Sequence, residues 1–291
     1  MRRNHIVKKL SILGTTEIRG LDLSEPLDDE LIAEIKNLWN KSGGMLVFRN
    51  QHLTSQQHID FSRQFGIPFG SPEGVPMQDT VSRYLHPDHP ELYCVSNQVD
   101  KKGVPKGRKG AGTYWHSDVS FREEPAAASI LYAKQIPSVG GDTLFADGTA
   151  AYEDLSQAMK DLLAPLYALH DFAVAAATQY TNPFVINDDL DGANKALHPV
   201  IRTHVDTGRK SIFVNPGQTS HLDGFDQAES DALLKFLYEH MTQPKYIFRQ
   251  IWQEHDLAMW DNRTMMHFAI DNYGDDPRYL ERVTLMGERP V

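Results

Sequence analysis

The run Tyr114-Trp115-His116-Ser117-Asp118-Val119-Ser120-Phe121 constrains this chain more than any other stretch. Residues two apart on a β-strand share a face, and aromatic or β-branched flanks favour a strand. On that reading His116 and Asp118 aim an imidazole and a carboxylate at one point. Such a pair suits a divalent metal but does not complete a site. The third ligand is expected in Met259-Trp260-Asp261-Asn262-Arg263-Thr264-Met265-Met266-His267, at His267. A fold that unites residues so far apart must close the chain back on itself.

A His-x-Asp tripeptide alone is a weak signal, because it recurs by chance and most histidines are not ligands. Two histidines and one carboxylate, with the other positions open, are the facial triad of non-haem Fe(II) oxygenases. A zinc hydrolase would also need a general base near its metal. No Glu is placed by motif to serve as one.

Composition removes other classes. The net charge is −10, which argues against a nucleic-acid partner, since such binding needs clustered Lys and Arg. The basic start, Arg2, Arg3, Lys8 and Lys9, is short and has no apolar segment behind it, unlike a signal peptide. No stretch reaches the ~18 apolar residues of a membrane span. Cys94 is the single cysteine. It sits in an apolar run, reads as inert core and fits a reducing cytoplasm.

Taken in order, the chain alternates short strands with helices. Residues 28–40 read as a helix with Leu31, Ile32, Ile35, Leu38 and Trp39 on one side. Gly43-Gly44 ends it, and Met45–Phe48 follows as a buried strand. Thr54 or Ser55 caps a second helix that closes at Gly66. Strands are expected at 92–96, 129–134, 142–146, 199–205, 211–215, 245–253, 258–260 and 282–286. Helices are expected over 149–169 and 226–241. Residues 173–196 read as an excursion. The polar, Gly-rich stretch 98–112 runs straight into the His116 segment and reads as a mobile lid, because loops of this length are usually functional or disordered.

Short strands with interspersed helices, and ligands distant in sequence, predict a mainly β fold. The expected core is a double-stranded β-helix, or jelly roll, with flanking helices and insertions and its site in the barrel mouth. The 291 residues are read as a single domain, 1–291, with N-terminal elements 1–90 packed on that core. A doubly wound α/β sheet would need regular strand–helix alternation, which is absent.

With these residues in view, the chain resembles the taurine/dichlorophenoxyacetate dioxygenase family of Fe(II)- and 2-oxoglutarate-dependent oxygenases. The likeness spans nearly all of it. It runs from Leu46-Val47-Phe48-Arg49 through Phe65-Gly66, Trp115-His116-Ser117-Asp118 and Pro137-Ser138-Val139-Gly140-Gly141-Asp142-Thr143. It continues through His198-Pro199-Val200-Ile201-Arg202-Thr203-His204 and Trp260-Asp261-Asn262-Arg263 to a C-terminal pair of arginines. The resemblance implies His116, Asp118 and His267 as iron ligands, 2-oxoglutarate on two of the remaining positions and O2 on the last. It implies decarboxylation of 2-oxoglutarate to succinate and CO2, coupled to oxidation of a small-molecule substrate.

The resemblance also assigns Arg278 and Thr143 to the distal carboxylate of 2-oxoglutarate. A guanidinium suits this task because its planar fork meets a carboxylate at two points. Arg282, four residues on, corresponds to an arginine near the substrate in members that act on anions. Spacing of four on a strand keeps both arginines on one face. Asp118 argues for oxygenation, since related halogenases carry Gly or Ala there. Taurine-type members carry a His where an ungapped register places Ser71. An insertion within 66–90 would bring His86 or His89 there instead. Phe69, Asn97 and Tyr114 are expected as pocket lining beside Ser71.

The expected function is oxidation of a small anionic, carboxylate-bearing molecule. The alternatives are catabolism of taurine, another sulfonate or an aryloxyalkanoate, and a non-catalytic jelly roll that senses a ligand through its metal. No membrane partner is expected. No sequence feature decides between a monomer and a homo-oligomer.

Overall fold

The computed structural model describes residues 5–77, 83–174 and 194–291. It opens with β1 (Ile6–Lys9), β2 (Thr16–Arg19), α1 (Asp29–Lys41), β3 (Met45–Phe48) and α2 (Ser55–Arg63). A hairpin of β4 (Leu85–His86) and β5 (His89–Ser96) follows, then β6 (Ala126–Gln135) and β7 (Thr143–Asp147). Next come α3 (Gly148–Glu153), α4 (Gln157–Leu163), β8 (Tyr167–Asp171), β9 (Lys195–Pro199), β10 (Ile201–Thr203), β11 (Lys210–Ile212) and β12 (Thr219–Leu222). The chain ends with α5 (Gln227–Met241), β13 (Ile247–Gln250), β14 (Leu257–Asp261), β15 (Met265–Ala269) and β16 (Tyr279–Met286). The expectation of a mainly β chain with helices holds.

An eight-stranded sheet runs β1-β2-β3-β14-β6-β16-β5-β4, antiparallel except for the β2–β3 pair. A three-stranded sheet, β13-β7-β15, packs against it; β12-β8-β9 forms a second three-stranded sheet and β10-β11 a two-stranded one. Alternation along the strands explains the layering. Leu46, Phe48, Ile130, Tyr132, Leu257 and Met259 face Leu31, Ile35 and Trp39 of α1 and Ile59 and Phe61 of α2. Met45, Val47, Leu131, Ala133, Ala258 and Trp260 face the other way, toward Phe145, Met265 and Trp252. The large sheet is therefore covered on both faces, which is why Met45–Phe48 is continuously apolar. Each large side chain so buried contributes roughly 1.5–3 kcal/mol.

The first two helices begin where their caps place them. Asp28 accepts from the Leu31 amide. Thr54 and Gln57 close a capping box on α2. Such caps contribute about 1 kcal/mol each.

Several expectations need correction. Tyr114–Phe121 is not a strand: it holds only an isolated antiparallel bridge, His116 to His267, and then turns, with Val119 at φ 47°. The helix expected over 149–169 is α3 and α4 followed by strand β8. Ser156 restarts the chain as an N-cap for the Met159 amide, and pairing with β9 and β12 claims residues 167–171. Residues 244–246 are a short 3-10 turn led by Pro244, so the strand expected over 245–253 shrinks to β13. The strand β15, which carries His267, lies where no strand was expected. Most of the excursion at 173–196 lies outside the described residues. Among the described residues no helix is long and apolar enough to cross a membrane.

Candidate active site

The two candidate histidines meet through the backbone. His116 N–H donates to the His267 carbonyl at 3.1 Å, and His267 N–H donates to the His116 carbonyl at 2.8 Å. This reciprocal pair fixes the rings 4.0 Å apart between centroids. The turn after His116 then swings Asp118 beneath them. His116 Nε2 lies 3.7 Å from Asp118 Oδ1, and His267 Nε2 lies 3.9 Å from Asp118 Oδ2. Among the described residues these three form the one group of metal-capable side chains whose ligand atoms all lie within 4.8 Å of one another. All three are buried.

The donor chemistry fits a divalent metal. His116 Nδ1–H donates to the Tyr114 carbonyl at 2.9 Å, which fixes the tautomer and leaves the Nε2 lone pair facing Asp118. Burial lowers the pKa of His116, and burial with the neighbouring His116 holds His267 well below its usual range. Both rings are thus neutral, as ligation requires. His267 Nδ1 is buried without a hydrogen-bond partner. Burial alone would raise Asp118, but the Arg282 guanidinium foremost, with the Ser129 hydroxyl, holds it below its usual range. Asp118 Oδ1 accepts from Arg282 Nη1 at 2.8 Å and Oδ2 accepts from Ser129 Oγ at 2.6 Å.

The triad opens on a cavity of about 120 Å³ between the eight-stranded sheet and the β13-β7-β15 sheet. Tyr93, Leu131, Trp260 and Arg282 reach it from the eight-stranded sheet, and Thr143, His267 and Ala269 from the three-stranded one. Arg278, one residue before β16, also lines it. Arg278 is 4% exposed. Nη2 donates to the Gly141 carbonyl at 3.2 Å, while Nε is buried with no partner. Thr143 Oγ1 accepts from Trp252 Nε1 at 3.0 Å. Arg278, Arg282 and Thr143 are therefore brought to one cavity.

The other expected lining residues divide. Tyr114 and Phe69 line the cavity, and the Tyr114 ring stacks on His116 with 4.6 Å between centroids. Burial raises the Tyr114 phenol, so it stays protonated. Ser71 and Asn97 are not among the lining residues. Ser71 Oγ donates to the Pro68 carbonyl at 2.8 Å and is turned into its own loop. Asn97 Oδ1 accepts from the Arg278 amide at 2.9 Å and Nδ2 donates to the Asp276 carbonyl, so it clamps the backbone around Arg278. His86 and His89 pair with each other across the β4–β5 hairpin, away from the cavity. The 98–112 loop folds back on β5 through Arg108 and Ser96 backbone bonds, and Arg108, Ala111 and Gly112 form part of the cavity wall.

Sequence reasoning missed Ser129, which reads as one polar residue in a buried strand, and gave no role to Asn262 within Trp260-Asp261-Asn262-Arg263. It also missed Phe121, Arg122 and Phe172, which complete the apolar wall with one further cation.

Two imidazoles and a carboxylate, buried between sheets beside a cationic cavity, form a site for non-haem iron and an acidic cosubstrate. Comparison with known proteins agrees. Residues 7–284 match the model of the family described as "Taurine catabolism dioxygenase TauD, TfdA family". An alpha-ketoglutarate-dependent 2,4-dichlorophenoxyacetate dioxygenase of Burkholderia sp. (strain RASC) is 34% identical over 282 residues, covering 94% of this chain and 91% of the relative. An alpha-ketoglutarate-dependent sulfate ester dioxygenase of Pseudomonas putida is 33% identical over 284 residues, covering 94% and 87%. The crystal structure of a taurine dioxygenase from Burkholderia xenovorans superposes with a TM-score of 0.78 at 33% identity, covering 99% and 91%. The chain belongs to this family. It is an enzyme that uses Fe(II), O2 and alpha-ketoglutarate, which is 2-oxoglutarate, to oxidise a small molecule.

Proposed function

We propose that the enzyme hydroxylates a carboxylic acid with an apolar body. Each turnover would consume one O2 and one 2-oxoglutarate, leaving one oxygen atom in the product and one in succinate as CO2 departs. His116, Asp118 and His267 would hold the iron, which supplies the redox chemistry that activates O2. Arg278 and the Thr143 hydroxyl would bind the distal carboxylate of 2-oxoglutarate. Arg282 and Tyr114 would face the substrate.

The observation that carries the substrate reading is the make-up of the cavity wall. It combines Arg282 beside the triad with Phe69, Phe121 and Phe172. Arg282 is half-buried and spends one donor on Asp118, which leaves its unpartnered Nε to meet a substrate anion, and the aromatic wall accepts a carbon skeleton. The relatives' aryloxyacetate, sulfate ester and taurine substrates supply the competing possibilities. No histidine besides His116 and His267 lines the cavity, and the segments outside the described residues contain none. That favours a carboxylate over a sulfonate held by an imidazole. Ser71 faces away from the cavity, so its place in the register does not weigh against taurine.

We read the packed sheets as a jelly roll and the whole chain as one domain, since both sheets contribute side chains to a single cavity. The lone, buried Cys94 suits a reducing cytoplasm. The deciding experiment is a panel of aryl and alkyl carboxylates, sulfonates and neutral analogues, scored by substrate-dependent succinate with Fe(II), ascorbate and oxygen. Carboxylates should lead. Tightly coupled turnover of taurine ahead of every carboxylate would overturn the substrate reading, and so would equal turnover of the neutral analogues.

A further inference from the structure

We propose that Ser129 and Asn262 are positioning residues that orient the Asp118 carboxylate toward the metal. The inference rests on the reading of Asp118 as a ligand.

The carboxylate is held by a chain of hydrogen bonds whose direction is fixed from its far end. Trp260 Nε1, a donor only, lies 3.0 Å from Asn262 Oδ1. The Asp118 backbone amide, also a donor only, points at the same oxygen at 3.3 Å. Asn262 must therefore present its carbonyl oxygen to both. Its Nδ2 then faces Ser129 Oγ at 2.9 Å and donates to it. A hydroxyl that accepts from Asn262 keeps its own proton for its other neighbour, and that neighbour is Asp118 Oδ2 at 2.6 Å. The polarity runs from the indole through the amide and hydroxyl to the carboxylate, without a free choice at any link.

The fold makes this arrangement rigid. Ser129 pairs with Trp260 on β14 and with Thr284 on β16, so it sits in the middle of the eight-stranded sheet. Ser129, Trp260 and Asn262 are each at most 1% exposed. The Asn262 carbonyl also accepts from Ser117 Oγ at 2.6 Å, which ties down the residue between the two ligands. The turn at Asp118 has no strand to support it, and Asn262 takes that part by gripping both Ser117 and the Asp118 amide. A buried serine in an apolar strand is costly unless its hydroxyl is satisfied. Here it makes two bonds, and one of them leads to the site.

The test is Mn(II) titration of the purified full chain, monitored by calorimetry, with thermal melting as a check on folding. Ser129→Ala removes the donor and should raise the Mn(II) Kd by about 10–100-fold, as losses of such supporting bonds do at metal sites. Asn262→Asp keeps the shape but offers only acceptors. It should turn the Ser129 proton away from Asp118 and weaken Mn(II) at least as much. Ser129→Thr restores a hydroxyl and should recover most of the affinity. Variants that melt lower yet bind Mn(II) like the parent would show a packing role and overturn the proposal. An equal loss in Ser129→Ala and Ser129→Thr would overturn it too, since the hydroxyl would not matter. Asp118→Ala separates the two readings. If it binds Mn(II) like the parent, the ligand assignment itself fails. If it loses Mn(II) while Ser129→Ala does not, only the positioning role fails.

Discussion

Arg282 donates from Nη1 to Asp118 Oδ1 at 2.8 Å, so the cation read as the substrate's partner also rests on a candidate iron ligand. Its Nε is buried without a partner and its guanidinium lies over the Tyr93 ring. One donor is engaged with the triad and another is left for an incoming acid. This joins metal, cosubstrate and substrate readings in one cavity, and each can be tested separately.

His116→Ala, Asp118→Ala and His267→Ala should each abolish turnover and weaken Fe(II) binding, because a site with three protein ligands has none to spare. Anaerobic Fe(II) titration and succinate release measure the two effects. Wild-type behaviour in any one variant would remove that residue from the ligand set.

Arg278→Gln should raise the 2-oxoglutarate KM by a hundredfold or more, since stripping one partner from a buried ion pair costs about 3–5 kcal/mol. The side chain is buried: Nη2 bonds the Gly141 carbonyl, the guanidinium lies over the Tyr273 ring, and Nε has no partner. An unchanged KM would move the cosubstrate assignment to Arg282.

The residue types of the site were legible in the sequence, but its geometry was not. His116 and Asp118 share a site as strand periodicity suggested, yet no strand carries them. One bridge to His267 and a left-handed turn at Val119 do the same work, and side-chain spacing cannot distinguish the two routes. Ser71 and Asn97 have the right chemistry for a pocket. Their hydrogen bonds go to nearby backbone, a choice settled by tertiary packing. The apolar spacing of 149–169 was real, with Leu155 and Leu163 buried, but cross-strand pairing overrode helix beyond residue 166. Ser129 escaped notice because a lone serine in a strand has no pattern.

Gly112→Ala should weaken Mn(II) binding by about tenfold or more and lower kcat, as supporting contacts at metal sites do. Gly112 has φ +74°, and a Cβ there would lie 2.9 Å from Cε1 of His116. The left-handed backbone alone costs an L-residue roughly 1–2 kcal/mol. The clash would press on the ligand ring. Calorimetry would decide, and an unchanged Kd would show that the loop yields instead of the histidine.

Acid stability gives a test outside the site. Burial lowers the fully buried His58 to about 4, and its Nε2 lies 3.1 Å from the Ile130 carbonyl. The unfolded chain, at about 6.5, binds the proton first as pH falls. Stability tied to His58 is therefore complete above about 6.5 and is lost toward 4. His58→Gln should remove that slope, up to about 3 kcal/mol between the two limits. Asp147 and Asp256, raised by burial to about 6, act in the opposite direction but are common to both proteins. Urea unfolding across this range measures the difference, and parallel curves for parent and variant would refute it.

Arg282→Ala tests the substrate reading. In the structure this side chain is 17% exposed and held by Asp118, so a substrate acid must share or displace that contact. Removing it should raise the KM for a carboxylate substrate at least about tenfold, equivalent to ~1.4 kcal/mol. The 2-oxoglutarate KM should stay nearly unchanged, because Arg278 keeps its place. Arg282→Lys should recover little, since a single ammonium cannot bridge Asp118 and a substrate acid as a planar fork can. A neutral analogue of the same skeleton should be equally poor with parent and variant. If the alanine variant instead loses 2-oxoglutarate affinity and leaves the substrate KM intact, the two arginines have exchanged roles, and the acid group of the substrate must be sought at Arg108 or Arg122, the other cations of the cavity wall.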